Sequence, residues 1–156
     1  MPNYSVLKTG DWEKAGILIN RLSTKLNSYI KKRMKEKANM VLDQIRGHLE
    51  NQDLDWIPLA ERTVAMKEND LTLVETGFLK EHLSVIEQPD GQLFVGASPD
   101  VVHPSGLALS DLMIYQEYGT LTIPPRPLIR PTYEEVKSKI GSEFAAYMKD
   151  FVEGDE

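Results

Sequence analysis

Cysteine is absent from the 156 residues. That excludes disulfide staples, thiolate zinc sites, thiol nucleophiles and iron-sulfur ligation, and it suits a reducing compartment. Histidine is scarce: His48, His82 and His103 are scattered, with no H-E-x-x-H pair, so little is left for metal catalysis. No apolar run approaches the ~18 residues of a membrane span, and the opening Met1-Pro2-Asn3-Tyr4-Ser5 has neither the basic segment nor the apolar core of a secretory signal. Neither a span nor export is expected. No internal repeat, low-complexity tract or G-x-x-x-x-G-K-[ST] loop is present, and Gly91, Gly96, Gly106 and Gly119 have hairpin, loop and helix-stop explanations. Ser84 near His82 and Ser105 near His103 are neighbours in sequence, whereas catalytic partners are defined in space. Asp53-x-Asp55 sits in a polar linker and reads as a solvated turn or cap. The expectation is therefore no enzyme, no cofactor and no metal.

What is present suits one soluble domain over residues 1–156: 41% hydrophobic and 27% charged residues. The net charge of -6 conceals a segregation. Residues 21–46 carry eight basic side chains against two acidic, whereas 47–130 carry five against thirteen and 131–156 three against seven. A basic segment on an acidic body suits a nucleic-acid contact, or a head-to-tail assembly in which the two faces meet.

Asp11 reads as an N-cap, and Ala15, Leu18, Leu22, Leu26, Met34, Ala38, Val41, Ile45 and Leu49 follow at helical steps. One straight helix over 11–50 would overhang its own domain and bury its stripe against another subunit. The alternative is a break near Asn27-Ser28 or Asn39 and a fold-back. Residues 56–152 form the rest of the domain. Pro58 suits the first turn of a short helix ending near Lys67, and Thr76 offers an N-cap for one further turn. Leu83–Glu87 and Gln92–Gly96 flank Gln88-Pro89-Asp90-Gly91, a hairpin signal. Residues 99–106 are loop chemistry. Leu107 to Tyr118 reads as a helix stopped by Gly119, although Leu112-Met113-Ile114 also suits strand. Ile123 to Pro131 contains four prolines and reads as a stiff strap. Thr132-x-x-Glu135 reads as a capping box before a final helix striped by Val136, Ile140, Phe144, Tyr147 or Met148 and Phe151. The fold class expected is α+β: a long N-terminal helix, a small antiparallel sheet built on the hairpin, and a C-terminal helix packed on the sheet.

Lys31, Lys32, Arg33, Lys35 and Lys37 are the best nucleic-acid candidates, with a solvated helix face as the plainer reading. Trp56 reads as a core anchor or an interface hot spot. Arg126 and Arg130, on a preorganised strap, suit a carboxylate-bearing partner subunit.

Four segments, in order, resemble a known family: Trp56-x-Pro58-Leu59-x-x-x-Thr63-x-x-x-Lys67; Leu73-x-x-Thr76-Gly77-x-Leu79; Ile114-Tyr115-Gln116-Glu117-Tyr118-Gly119-Thr120; and Pro124-Pro125-Arg126-Pro127-Leu128-Ile129-Arg130-Pro131. Together they look like the tail-completion or virion-morphogenesis family of tailed bacteriophages. The resemblance covers roughly residues 56–140. Tyr118 agrees with the aromatic the family has before Gly-Thr, and Leu128 stands where the family commonly has Phe. The helix before residue 50 lies outside the resemblance. What it implies is a non-catalytic subunit of the virion neck, assembled in the bacterial host cytoplasm. Such a subunit forms a ring, a hexamer for preference, between tail tube or tail terminator and head connector. It takes no small-molecule substrate and no membrane, and meets nucleic acid at most as DNA passing the lumen. Tyr115, Glu117, Tyr118, Gly119 and Thr120 would shape the central loop, and Pro125, Arg126, Pro127 and Arg130 would form the protein interface.

Overall fold

The apolar stripe that starts after Asp11 folds as one unbroken helix. In the computed structural model, which describes residues 10–67, 70–74 and 77–154, α1 spans Trp12–Asn51. Its 40 residues make a rod about 60 Å long. Asp11 caps it as expected, accepting from the Lys14 N–H at 3.1 Å. Gln52 ends it in the left-handed conformation, at φ 53°, and donates its N–H to His48 O. The fold-back reading is excluded: the Ser28 hydroxyl donates to Lys25 O without interrupting the helix, and Asn39 is helical.

α2 (Glu61–Lys67) begins three residues after Pro58, which was expected in its first turn. The reason is tertiary: the carbonyls of Ile57 and Pro58 accept hydrogen bonds from Arg126, which holds this stretch outside the helix. α3 (Phe78–His82) is the expected single turn, entered through Gly77 at φ 78°. The cap expected at Thr76 lies outside the described residues. β1 (Leu83–Glu87) and β2 (Leu93–Ala97) pair antiparallel, Leu83 opposite Ala97 and Glu87 opposite Leu93. The Pro-Asp-Gly turn closes as expected. The Gly91 N–H donates to Gln88 O at 2.9 Å while Gly91 takes φ 84°, a conformation glycine adopts without cost. α4 (Leu109–Tyr118) settles the helix-or-strand question in favour of helix, and Gly119 leaves it at φ 75°.

α5 (Ile129–Glu153) starts three residues before the expected capping box. Thr132 is a buried first-turn residue whose hydroxyl donates to Leu128 O at 2.7 Å, and Glu135 turns towards α1. The α+β class holds, but α5 packs on α1 instead of on the sheet, and the hairpin packs on α1 and α4. The α5 stripe is placed as expected: Val136 is buried and Ile140, Phe144, Tyr147, Met148 and Phe151 are half-buried. α5 and α1 run antiparallel, from Glu135 beside Gln44 to Phe151 beside Tyr29, where the rings are 5.2 Å apart.

The core occupies only the second half of α1. Leu42, Ile45 and Leu49 join Leu83 and Leu128 in one buried cluster, with Trp56, Leu73, Leu79 and Met113 packed around it. Beyond the Tyr29–Phe151 contact α1 projects about 26 Å to Trp12. Its apolar side chains there are uncovered, with Trp12 at 63%, Leu18 at 63%, Ile19 at 65% and Leu22 at 58% exposure.

Candidate protein-interface site

The strap begins with a fold-back that requires glycine. A Cβ on Gly119 would stand 2.9 Å from Ile123 O and 3.0 Å from Pro125 N, and φ 75° is unfavourable for any other residue. Thr120 fixes the turn: its hydroxyl oxygen accepts from the Ile123 N–H at 3.0 Å and its own N–H donates to Ile123 O at 2.8 Å. The strap is then tied down at three points. The Arg126 N–H donates to Gln116 O at 2.6 Å. Arg126 is 8% exposed, and its guanidinium donates to Ile57 O at 3.1 Å and to Pro58 O at 3.4 Å. The Trp56 indole N–H donates to Pro127 O at 2.7 Å.

Glu117 supplies the cap that the sequence pattern assigns to Thr132. Its carboxylate accepts from the N–H groups of Leu128 at 2.7 Å, Ile129 at 2.9 Å and Arg130 at 2.8 Å. The next residue, Pro131, has no N–H to satisfy. One side chain thus meets every free donor at the start of α5, with negative charge at the positive end of the helix dipole.

On the outer face Tyr118 is 66% exposed and the Arg130 guanidinium lies 5.4 Å from its ring centre. Together with Glu117, Pro125, Pro127, Pro131 and Glu134 they form a shallow concavity of about 500 Å³. The structure therefore brings Glu117, Tyr118, Pro125, Pro127 and Arg130 together, with Gly119 and Thr120 shaping the bend. Tyr115 is exposed on α4 and stands outside that concavity. Arg126 departs from the expected grouping with Arg130, because it is turned into the chain. On that inner side lies a larger, mainly apolar groove of about 680 Å³ between α2, α3, the His103 loop, α4 and the strap, with Leu59, Leu73, Leu79, Leu112 and Ile123 among its walls.

Sequence reasoning missed a polar cluster at the far end of α1. His48, 4% exposed, places Nδ1 at 2.6 Å from Asp53 Oδ1 and Nε2 at 3.2 Å from Glu135 Oε2. Asp53 is exposed in the linker, as expected, and in addition partners a buried histidine. The available signal was Asp53 five positions after His48, legible only once the helix end at Gln52 is fixed.

Much of the basic segment is engaged within the chain. Lys31 pairs with Glu87 at 2.5 Å, Lys37 with Glu143, and Arg33 with Glu36 at 3.0 Å, while Arg46 donates to Leu83 O at 2.8 Å. The hydrogen bond from Lys37 holds the Glu143 carboxyl below the usual carboxylate range, and that from Lys31 does the same for Glu87. Reciprocally, Glu143 raises the Lys37 ammonium above its ordinary value.

No protein-family model matches the chain, and neither does any curated protein or solved structure. Among the described residues, no group of three or more His, Asp and Glu side chains is placed to hold a metal ion, and no helix is long and apolar enough to cross a membrane.

Proposed function

We propose that the chain is a non-catalytic structural protein of the tail-to-head junction of a tailed bacteriophage, acting in a ring of its own copies between tail and head connector. The observation that carries this reading is that three of the four segments resembling the family bond to one another. Trp56 holds Pro127, Arg126 holds Ile57 and Pro58, and Glu117 holds Leu128 to Arg130. Residues that look like separate weak motifs are thus one construction, whose outer surface presents Tyr118, Arg130 and the strap prolines. A polar-aromatic surface on a segment tied down by these hydrogen bonds suits docking more than chemistry. The nucleic-acid alternative draws less support, since Lys31, Arg33, Lys37 and Arg46 are engaged by their own chain.

The test is deletion of the gene from the phage or prophage that carries it, followed by induction and electron microscopy of the lysate. The expected result is DNA-filled heads beside unjoined tails, rescued by the purified protein. Normal infectious particles would overturn the reading.

A further inference from the structure

The groove on the inner side of the strap is charged in the opposite sense to the chain around it. Residues 47–130 hold thirteen acidic side chains and five basic. Two of the five, Lys67 and Arg126, line the groove, and none of the thirteen does. Lys67 already donates to Leu71 O at 3.0 Å. Arg126 is buried at 8% exposure, yet among the described residues no carboxylate pairs with it, only the neutral carbonyls of Ile57 and Pro58. Nε and Nη2 make those two bonds, which leaves two donors on Nη1 and one on Nη2 without a partner among the described residues. Nη1 is not sealed from solvent, so the Nη1–Nη2 edge stays available to an acceptor. A cation taken out of water without a counter-ion is costly, and an anion brought to it recovers part of that cost. A second donor lies on the same wall. His103 Nδ1 accepts the Ser105 N–H at 3.1 Å, which puts the proton of the neutral ring on Nε2.

The rest of the wall is mainly apolar, with Leu59, Leu73, Leu79, Leu112 and Ile123 prominent, and its volume of about 680 Å³ is that of a small-molecule site. We propose that the groove binds a small amphiphilic carboxylate, its apolar body against these side chains and its carboxylate on Arg126. The lining itself selects this class of ligand. A cation would meet two like charges and no counter-charge. A neutral apolar molecule would leave Arg126 buried and unpaired. A multiply charged headgroup needs more cationic donors than one guanidinium edge, whereas a planar monoanion matches that edge with two parallel hydrogen bonds. The site is independent of the neck role and is tested in purified protein.

Decanoate below its micellar concentration is the probe, with decanol and decylammonium as neutral and cationic molecules of the same chain length. Calorimetric titration should give saturable binding of decanoate, decanol about tenfold weaker for want of a charge-assisted bond, and decylammonium weaker still. Decanoate should also raise the melting midpoint, and the amide NMR signals it moves should be those of Leu73, Leu79, Leu112 and Ile123. Arg126→Gln removes the charge and keeps side-chain N–H groups, so it should bring decanoate down to the affinity of decanol and leave decanol unchanged. Its melting curve reports whether it folds. Thr63→Trp, at an exposed position on the groove, fills the space instead and should abolish binding of both while melting like the parent. The α1 overhang is the other apolar surface on which an amphiphile can settle, and Leu18→Glu with Leu22→Glu should leave decanoate affinity unchanged. Equal affinity for the three probes would overturn the proposal, as would binding that does not saturate. So would shifts confined to residues 12–25, or a Thr63→Trp variant that binds decanoate as the parent does.

Discussion

Removing the Glu117 carboxylate strips the acceptor from three N–H groups at once, and nothing nearby replaces it because Thr132 is already committed to Leu128 O. Glu117→Ala should therefore cost about 2 kcal/mol, the upper range for losing a helix cap, with Glu117→Gln falling between it and the parent. Urea denaturation at neutral pH measures this, and a Glu117→Ala midpoint equal to the parent's would show that α5 has another cap. The sequence hid this role for a definite reason. Thr132-x-x-Glu135 satisfies the local pattern of a capping box, whereas the true acceptor sits eleven to thirteen residues upstream of the donors and reaches them only after the Gly119 fold-back. His48 was equally illegible, since its partners Asp53 and Glu135 come together only when α1 ends at Gln52 and α5 lies beside it.

Between elements, the strap separates two arginines that look alike in sequence. Arg126 is buried and satisfies the carbonyls of Ile57 and Pro58, whereas Arg130 is exposed and lies over the Tyr118 ring. Arg126→Ala should destabilise the fold by about 2–3 kcal/mol through lost charge-assisted hydrogen bonds and lost packing. Arg130→Ala should melt like the parent yet weaken rescue of unjoined tails. Thermal melting beside the tail-joining assay separates the two effects, and equal melting of both variants would contradict the inward placement of Arg126. What the sequence showed at this scale was whatever repeats locally. The α1 and α5 stripes, the hairpin and the Gly119 stop were all legible, because 3.6-residue periodicity and turn chemistry involve only near neighbours. Where α2 and α5 begin was not, because Arg126 delays α2 and Glu117 advances α5 across the fold. The packing of α5 on α1 was hidden too, since a half-apolar stripe fits a sheet or a helix equally well.

For the molecule as a whole, the basic half of α1 is attached to its surroundings by ion pairs that connect different elements: Lys31 to Glu87 on β1 and Lys37 to Glu143 on α5, with Glu50 to Lys80 on α3 further along the helix. Each of these carboxyls is held below its ordinary value chiefly by the hydrogen bond from its lysine. A carboxyl depressed in the folded state binds fewer protons there than in the unfolded chain. Its contribution is therefore complete above pH ~4.3, the ordinary glutamate value, and is lost as pH falls through the depressed folded value. Lys37 is shifted the other way, so its contribution holds below pH ~10.4 and fades as pH rises through the raised value. The pairs are partly exposed, so added salt should weaken them as well. Thermal melts across the acid range should show a fall in midpoint below pH ~4.3, and Glu143→Gln should lower the midpoint at neutral pH while making the acid limb shallower. An acid limb unchanged by Glu143→Gln would mean that the Lys37 pair contributes nothing to holding α5 on α1, and that the apolar stripe from Val136 to Phe151 sets this packing alone.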